Sequence, residues 1–142
     1  MSVLDGMCRL LAAAGVGTYS PDAALPAGAT PIGAVAFPST KGDAVCVTTY
    51  AGGPEPDSRE GDEYPRMQVR VRARNPLDAI ALDRQAFDAL QFRPGTTRTL
   101  PETPEWLLSD CHALQSEPQP LGVDDNGRHE FVRNYQLTVT PV

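Results

Sequence analysis

Hydrophobic residues recur at helical spacing in two stretches of the chain. The first, Ser2–Ala14, begins with a serine that can cap a helix, and Gly15 follows it as a residue that favours a helix end. The second, Pro76–Gln91, follows Asn75 as a capping residue and has proline at its first position, where a helix needs no amide proton. The pattern predicts two amphipathic helices.

Other stretches have the composition or alternation of β-strands. Met67–Arg74 alternates strictly between apolar and polar residues, and Asp43–Tyr50 is rich in β-branched residues. Ile32–Phe37 is short and apolar, which favours an edge strand or an extended arm. Arg128–Thr140 also alternates, and we expect it to pair in a long hairpin with Trp106–Leu114, a segment for which strand and helix both stay open.

This order of elements predicts an α+β fold. We expect an antiparallel or mixed sheet of about four to five strands, with two helices packed on one face. The length of 142 residues fits a single domain over 1–142. Mobile loops are expected near residues 18–31, 52–64 and 117–128, where turn-forming residues cluster. The loop at 52–64 is acidic, and it is either mobile in all states or ordered on assembly.

Charge and cysteine content narrow the possible classes of protein. The net charge of −6 weighs against broad nucleic-acid binding, which needs a dominant positive field. Three widely spaced cysteines do not fit a disulfide framework, so we expect a reducing compartment. No basic segment precedes the first apolar run, and no apolar run approaches the roughly 20 residues of a membrane span. We therefore expect no signal peptide and no membrane partner.

Residue types that could carry chemistry are present but are not grouped as a reactive site requires. Cys111 and His112 are neighbours, and neighbours on a strand point to opposite faces. The cysteine and histidine spacings of a zinc site and the glycine-rich loops that bind phosphate do not occur. Asp78, Asp83 and Asp88 are spaced to lie on different faces of a helix and are expected to be solvated. We expect neither an enzyme nor a cofactor or metal site.

The charged residues around the Met67–Arg74 strand form the candidate site. Its polar face carries what we call the arginine ladder: Arg70, Arg72 and Arg74. The preceding loop carries what we call the acidic stretch: Glu55, Asp57, Glu60, Asp62 and Glu63. Like charges two residues apart on a strand repel each other, so the ladder needs counter-charge. Cross-strand acids or solvent, an acidic partner surface such as the acidic stretch of another copy, and nucleic acid are three alternatives.

The succession of elements resembles a known family. A short N-terminal helix and a strand precede the Arg-rich strand and helix in VRVRARNPLDAIALDRQAFDAL, and a Trp-initiated strand, a D…GR turn and the terminal F…NYQLTV strand follow. From Leu4 to Val139 this order is similar to the tail-terminator and minor capsid proteins of long-tailed bacteriophages. The resemblance implies an α+β subunit that closes into a ring, commonly a hexamer, at the head-proximal end of the tail tube.

The same resemblance implies the partners and the location. The ring would contact the major tail tube protein and a head-completion or connector protein, and DNA would meet it only by passing through the ring. The subunit would be assembled in the host bacterial cytoplasm and end in the tail or neck of the virion. A head–tail connector or minor capsid protein of the same virion, and a non-viral binding module, stay open as alternatives.

Overall fold

The elements follow the order that the hydrophobic pattern predicts. The computed structural model describes residues 2–22, 24–40, 42–51, 53–56, 61–91, 97–101 and 103–141. Within these ranges the chain forms α1 (Val3–Ala13), β1 (Ile32–Ala34), β2 (Ala44–Tyr50), β3 (Arg66–Ala73), α2 (Pro76–Leu90), β4 (Arg98–Leu100), β5 (Thr103–Ala113), β6 (Gln119–Val123) and β7 (His129–Pro141).

The strands in these ranges form one mixed sheet of seven strands. Their order is β1-β2-β3-β7-β5-β4, and β6 also pairs with β7. β1 is parallel to β2, and the other pairs are antiparallel. The α+β class is confirmed, but the predicted count of four to five strands is wrong. β4 has three residues and β6 is exposed along its whole length, so neither shows the alternation that reveals a longer strand.

The core lies against one face of β3. The four apolar side chains that alternate along this strand are fully buried: Met67, Val69, Val71 and Ala73. β3 pairs with β2 on one side and with β7 on the other, which places Val71 opposite Val45 and Phe131. Because cross-strand neighbours point to the same face, three adjacent strands contribute to one apolar layer. The predicted strand and its buried face are confirmed.

Both helices begin where their capping residues predict. The Ser2 side chain accepts a hydrogen bond from the Asp5 amide at 3.1 Å, and that of Asn75 accepts one from the Leu77 amide at 2.9 Å. Gly15, just beyond the end of α1, has a φ of +82°, which glycine adopts without strain. Side chains of both helices belong to the same core cluster. The placement of both helices on a single face of the sheet stays a prediction.

The C-terminal half contains the predicted long hairpin. β5 pairs antiparallel with β7 from Trp106 opposite Pro141 to Ala113 opposite Tyr135, so the segment that begins at Trp106 is a strand. Part of the loop predicted at 117–128 is the strand β6, which pairs with the first residues of β7. Prolines 118 and 120 conceal this strand in the sequence, because proline removes a ladder hydrogen bond. The mobility of the three loops stays a prediction.

A buried ion pair joins α2 to the sheet. Asp83 and Arg133 approach to 2.6 Å, and their side chains are 2% and 3% exposed. The guanidinium of Arg133 also lies 4.5 Å from the centre of the Phe87 ring. The prediction that Asp83 is solvated is therefore wrong, although Asp78 and Asp88 are exposed. The sequence could not reveal the burial of Asp83, because its carboxylate is buried beside a distant residue, Arg133, that supplies the opposite charge.

The first prediction tests the buried face of β3. We expect Val71→Asp to lower the free energy of unfolding by about 3 kcal/mol or more, because it places an unpaired carboxylate in a fully buried site. Chemical denaturation of the purified variant measures this. Leu77→Asp is the matched control, since Leu77 is 71% exposed, and it should change the free energy by about 0.5 kcal/mol or less. Equal effects of the two substitutions would mean that the faces are reversed.

The second prediction concerns the Asp83–Arg133 pair. Asp83→Ala should lower the free energy of unfolding by about 3–5 kcal/mol, because it leaves the Arg133 charge buried without its carboxylate. The double variant Asp83→Leu/Arg133→Met should recover most of this loss. The control is Asp88→Ala, which breaks an exposed pair with Arg84 and should cost about 0.5 kcal/mol or less. A double variant no more stable than Asp83→Ala alone would contradict the prediction.

Candidate functional site

The arginine ladder lies on the sheet face opposite the core, but its members differ in exposure. Arg70 is half-buried, with 33% of its side chain exposed, whereas Arg72 is only 6% exposed as a whole residue. Arg74 follows the last residue of β3 and is exposed. The alternation therefore assigns the face correctly, but it does not tell which arginine reaches solvent.

The loop after β1 covers the middle of the ladder. The Phe37 ring contacts two guanidiniums, with its centre 5.0 Å from Cζ of Arg70 and 4.6 Å from Cζ of Arg72. Arg72 Nη2 donates hydrogen bonds to the carbonyl oxygens of Pro38 at 2.6 Å and Thr40 at 2.9 Å. Arg72 is thus held inside its own subunit. A long, charged arginine side chain suits this position because its guanidinium donates to two carbonyl oxygens of the loop at once.

A tight turn directs this loop over the arginine face. Val35, directly after β1, has a φ of 72°, in the left-handed region that β-branched residues rarely adopt. Its amide donates to the Val47 carbonyl oxygen at 2.8 Å, while its side chain is 63% exposed. A Cβ on Gly33 would overlap the carbonyl oxygen of Ala36, so the turn requires glycine there. Backbone contacts hold the turn in place.

A cross-strand acid supplies counter-charge to the first member of the ladder. Glu130 on β7 forms an ion pair with Arg70 Nη2 at 3.2 Å, and it lies opposite Arg72 in the strand register. Because the arginines of the ladder repel one another, cross-strand acids are one expected source of counter-charge, and Glu130 is such an acid. The pair is partly exposed, so its contribution to stability is small.

Arg128, which the alternation along β3 does not include, lies beside the arginine ladder. Its Nε donates to Asp124 at 2.8 Å, and its Nη1 donates to the Thr40 carbonyl oxygen at 2.5 Å. Hydrogen bonds from the backbone amides of Arg128 and Asn126 stabilise the Asp124 carboxylate, and the first of these is the main cause of its lowered pKa. Asp124 therefore anchors the predicted turn. In the sequence, the four-residue spacing of Asp124 and Arg128 is an indication that these two residues can form an ion pair.

The described members of the acidic stretch lie at the other end of β3. Glu55 is exposed and sits between Pro54 and Pro56, which line a cleft beside Pro65. Asp57 and Glu60 lie outside the described residues. The two remaining acids are fixed to β7: the Asp62 carboxylate accepts a hydrogen bond from Thr140 at 2.6 Å, and the backbone of Glu63 pairs with that of Val139.

Distance separates the acidic stretch from Arg74. The eight residues of β3 lie between Pro65 and Arg74, and their seven steps span about 23 Å at the usual rise of a strand. Within the described part of the chain, no ion pair joins Glu55, Asp62 or Glu63 to the ladder. Among the described residues, Glu55, Asp62 and Glu63 therefore lie on a different surface from Arg74, although they are close to it in the sequence.

The residues considered for catalysis lie apart. Cys111 is buried, and burial raises the pKa of its thiol to about 12. His112 points to the opposite face, where its Nδ1 lies 2.7 Å from Asp110. Among the described residues, no three or more His, Cys, Asp or Glu side chains are grouped as metal ligands would be. No helix in the described ranges is long and apolar enough to cross a membrane.

Comparison with known proteins agrees with the resemblance read from the sequence. No individual curated protein matches the chain. A family profile, however, described as bacteriophage tail terminator protein, matches residues 10–141. That range includes the last turn of α1, Leu10–Ala13, and all the remaining elements, with the arginine ladder and the acidic stretch among them. Because the match covers nearly the whole sequence, the chain belongs to the bacteriophage tail terminator family.

Proposed function

We propose that this protein closes the head-proximal end of a phage tail tube as a ring of identical subunits. Membership of the tail terminator family makes it a structural component of the phage tail, which acts together with other virion proteins. The ring, its hexameric size and its role in head joining are the finer proposals. One face of the ring would contact the tail tube protein, and the other would contact a head-completion or connector protein.

The separation of the two charged surfaces is the observation that carries this proposal. A ring is built from head-to-tail contacts, so each subunit needs two different and complementary surfaces. Arg74 is exposed at one end of β3, and the described acids Glu55, Asp62 and Glu63 lie near the other end. The described acids Glu55, Asp62 and Glu63 are too far from Arg74 to pair with it within one subunit, and this supports pairing between neighbouring copies.

The three arginines would contribute unequally to such a contact. Arg72 already donates to two carbonyl oxygens of its own chain, and Arg70 is partly neutralised by Glu130. Arg74 is the exposed member, so it is the one that a neighbour meets first. Complementary charge of this kind contributes mainly to orientation and to the rate of association.

The third prediction tests ring closure through Arg74. We expect Arg74→Glu to leave the thermal midpoint of the monomer nearly unchanged, because the residue is exposed, but to prevent ring formation and capping of tail tubes. Sedimentation at high protein concentration, with and without purified tail tubes, measures both effects. Arg72 is left in place, since replacing it would also break the hydrogen bonds to the 38–40 loop.

Two further variants make this test specific. Arg84→Glu, at an exposed position on α2, introduces the same change in net charge and should form rings as the wild type does. Glu55→Arg combined with Arg74→Glu should restore part of the assembly by reversing the contact. If Arg74→Glu still forms rings and caps tubes, the subunit contact lies elsewhere on the surface.

A further inference from the structure

An open pocket lies where the arginine ladder meets the turn between β6 and β7. Its volume is about 620 Å³, and the residues that line it include Phe37, Thr40, Arg72, Arg74, Asn126 and Arg128. The chain as a whole has a net charge of −6, yet three arginines line this one pocket. Positive charge is therefore concentrated here against the overall charge of the molecule.

Two of these guanidiniums are buried side by side. Arg72 and Arg128 are each 6% exposed, and both donate to the carbonyl oxygen of Thr40, at 2.9 and 2.5 Å. Burial, together with the nearby charge of Arg128, lowers the pKa of Arg72. Both groups still carry their charge at neutral pH, because arginine does not lose its proton in proteins. Asp124 pairs with Arg128, whereas Arg72 forms no ion pair within the described residues, so the charge of Arg72 favours the arrival of an anion.

The nearby carboxylates pair with arginines other than Arg72. Asp124 forms an ion pair with Arg128 at 2.8 Å, and Glu130 forms one with Arg70 at 3.2 Å. Arg72 hydrogen-bonds to carbonyl oxygens, and in the described part of the chain its buried Nε has no hydrogen-bond partner. A buried donor of a charged group that lacks an acceptor is destabilising. An oxyanion bound in the pocket would supply the negative charge that Arg72 lacks.

We propose that this pocket is an oxyanion site that binds a carboxylate from the acidic stretch of a neighbouring copy. The planar fork of an arginine matches the two oxygens of a carboxylate, and Arg74 at the pocket adds an exposed charge that attracts it. The acidic stretch carries five carboxylates between residues 55 and 63. This choice of occupant rests on the proposed function, because a ring places neighbouring copies head to tail.

Phosphate offers the same oxyanion chemistry, but the charge distribution favours a protein carboxylate. DNA binding depends on several cations that follow the phosphate backbone, whereas this pocket gathers three arginines on a chain with a net charge of −6. Inorganic phosphate and duplex DNA are therefore used as competing probes.

The fourth prediction is a binding experiment on the full chain. At low salt, a synthetic peptide with the sequence of residues 53–64 should bind, and a peptide with Asn and Gln in place of its acids should not. Binding should weaken as the salt concentration rises. Calorimetric titration should show roughly tenfold weaker binding for Arg72→Gln and roughly threefold weaker binding for Arg74→Gln.

Matched variants separate loss of the site from loss of the fold. Arg84→Gln removes the same charge from an exposed position on α2 and should bind the peptide like the wild type. Arg72→Lys keeps the charge but loses the fork, so it should still weaken binding. Thermal midpoints identify any variant that is not folded, and Arg74→Gln, whose position is exposed, then carries the test.

The outcomes distinguish this site from ring closure. Equal binding of the neutral peptide, equal weakening by Arg84→Gln, or tighter binding of phosphate or duplex DNA than of the acidic peptide would overturn the carboxylate site. If wild-type chains form rings and cap tubes but do not bind the peptide, the site is wrong and ring closure stands. If the peptide binds as expected but no rings form on tubes, ring closure is wrong and the oxyanion site stands.

Discussion

Pairing of β3 on both of its edges is the constraint on which the rest of the structure depends. β2 and β7 fix the register, so Val69 and Val71 must enter the core, and Arg70 and Arg72 must point to the opposite face. A shift of one residue would exchange the two sets and bury the arginines among apolar side chains. The core and the charged face are therefore set by the same backbone hydrogen bonds.

Two buried arginines of this molecule have different surroundings for their charge. Arg133 is buried beside the Asp83 carboxylate, so its charge is compensated within the subunit. Arg72 is nearly as buried, but it meets carbonyl oxygens and the neighbouring Arg128 charge. The first arrangement serves to attach α2 to the sheet. The second leaves the positive charge of Arg72 available to a ligand, whereas the charge of Arg133 is already compensated.

The separation of opposite charges along β3 suits a subunit that assembles with copies of itself. If Glu63 and Arg74 could meet within one chain, their charges would compensate internally and offer little to a neighbour. An extended strand of eight residues keeps them apart, and it gives the subunit two surfaces of opposite sign. Such a polarity fits the structural role of the tail terminator family to which the chain belongs.

Local patterns in the sequence are enough to predict the elements with strong signals. The alternation in β3 and the caps at Ser2 and Asn75 follow from neighbouring residues, because period and capping are local properties. The hairpin of β5 with β7 is only partly determined in this way, because the sequence leaves strand and helix open for the segment that begins at Trp106. The short strands β4 and β6 were missed because three residues, or a strand exposed along its length, carry no such period.

The environment of each charge depends on tertiary packing. Asp83 meets Arg133 across 50 residues, and Arg128 reaches Thr40 across 88. No local pattern encodes these contacts, since they depend on which loop and which helix pack over a given face. The same tertiary contacts made Arg72 an internal group and left Arg74 in solvent, although the two stand alike in the sequence. Periodicity predicts the face of the sheet on which a charged residue lies, whereas packing determines its partner and its exposure.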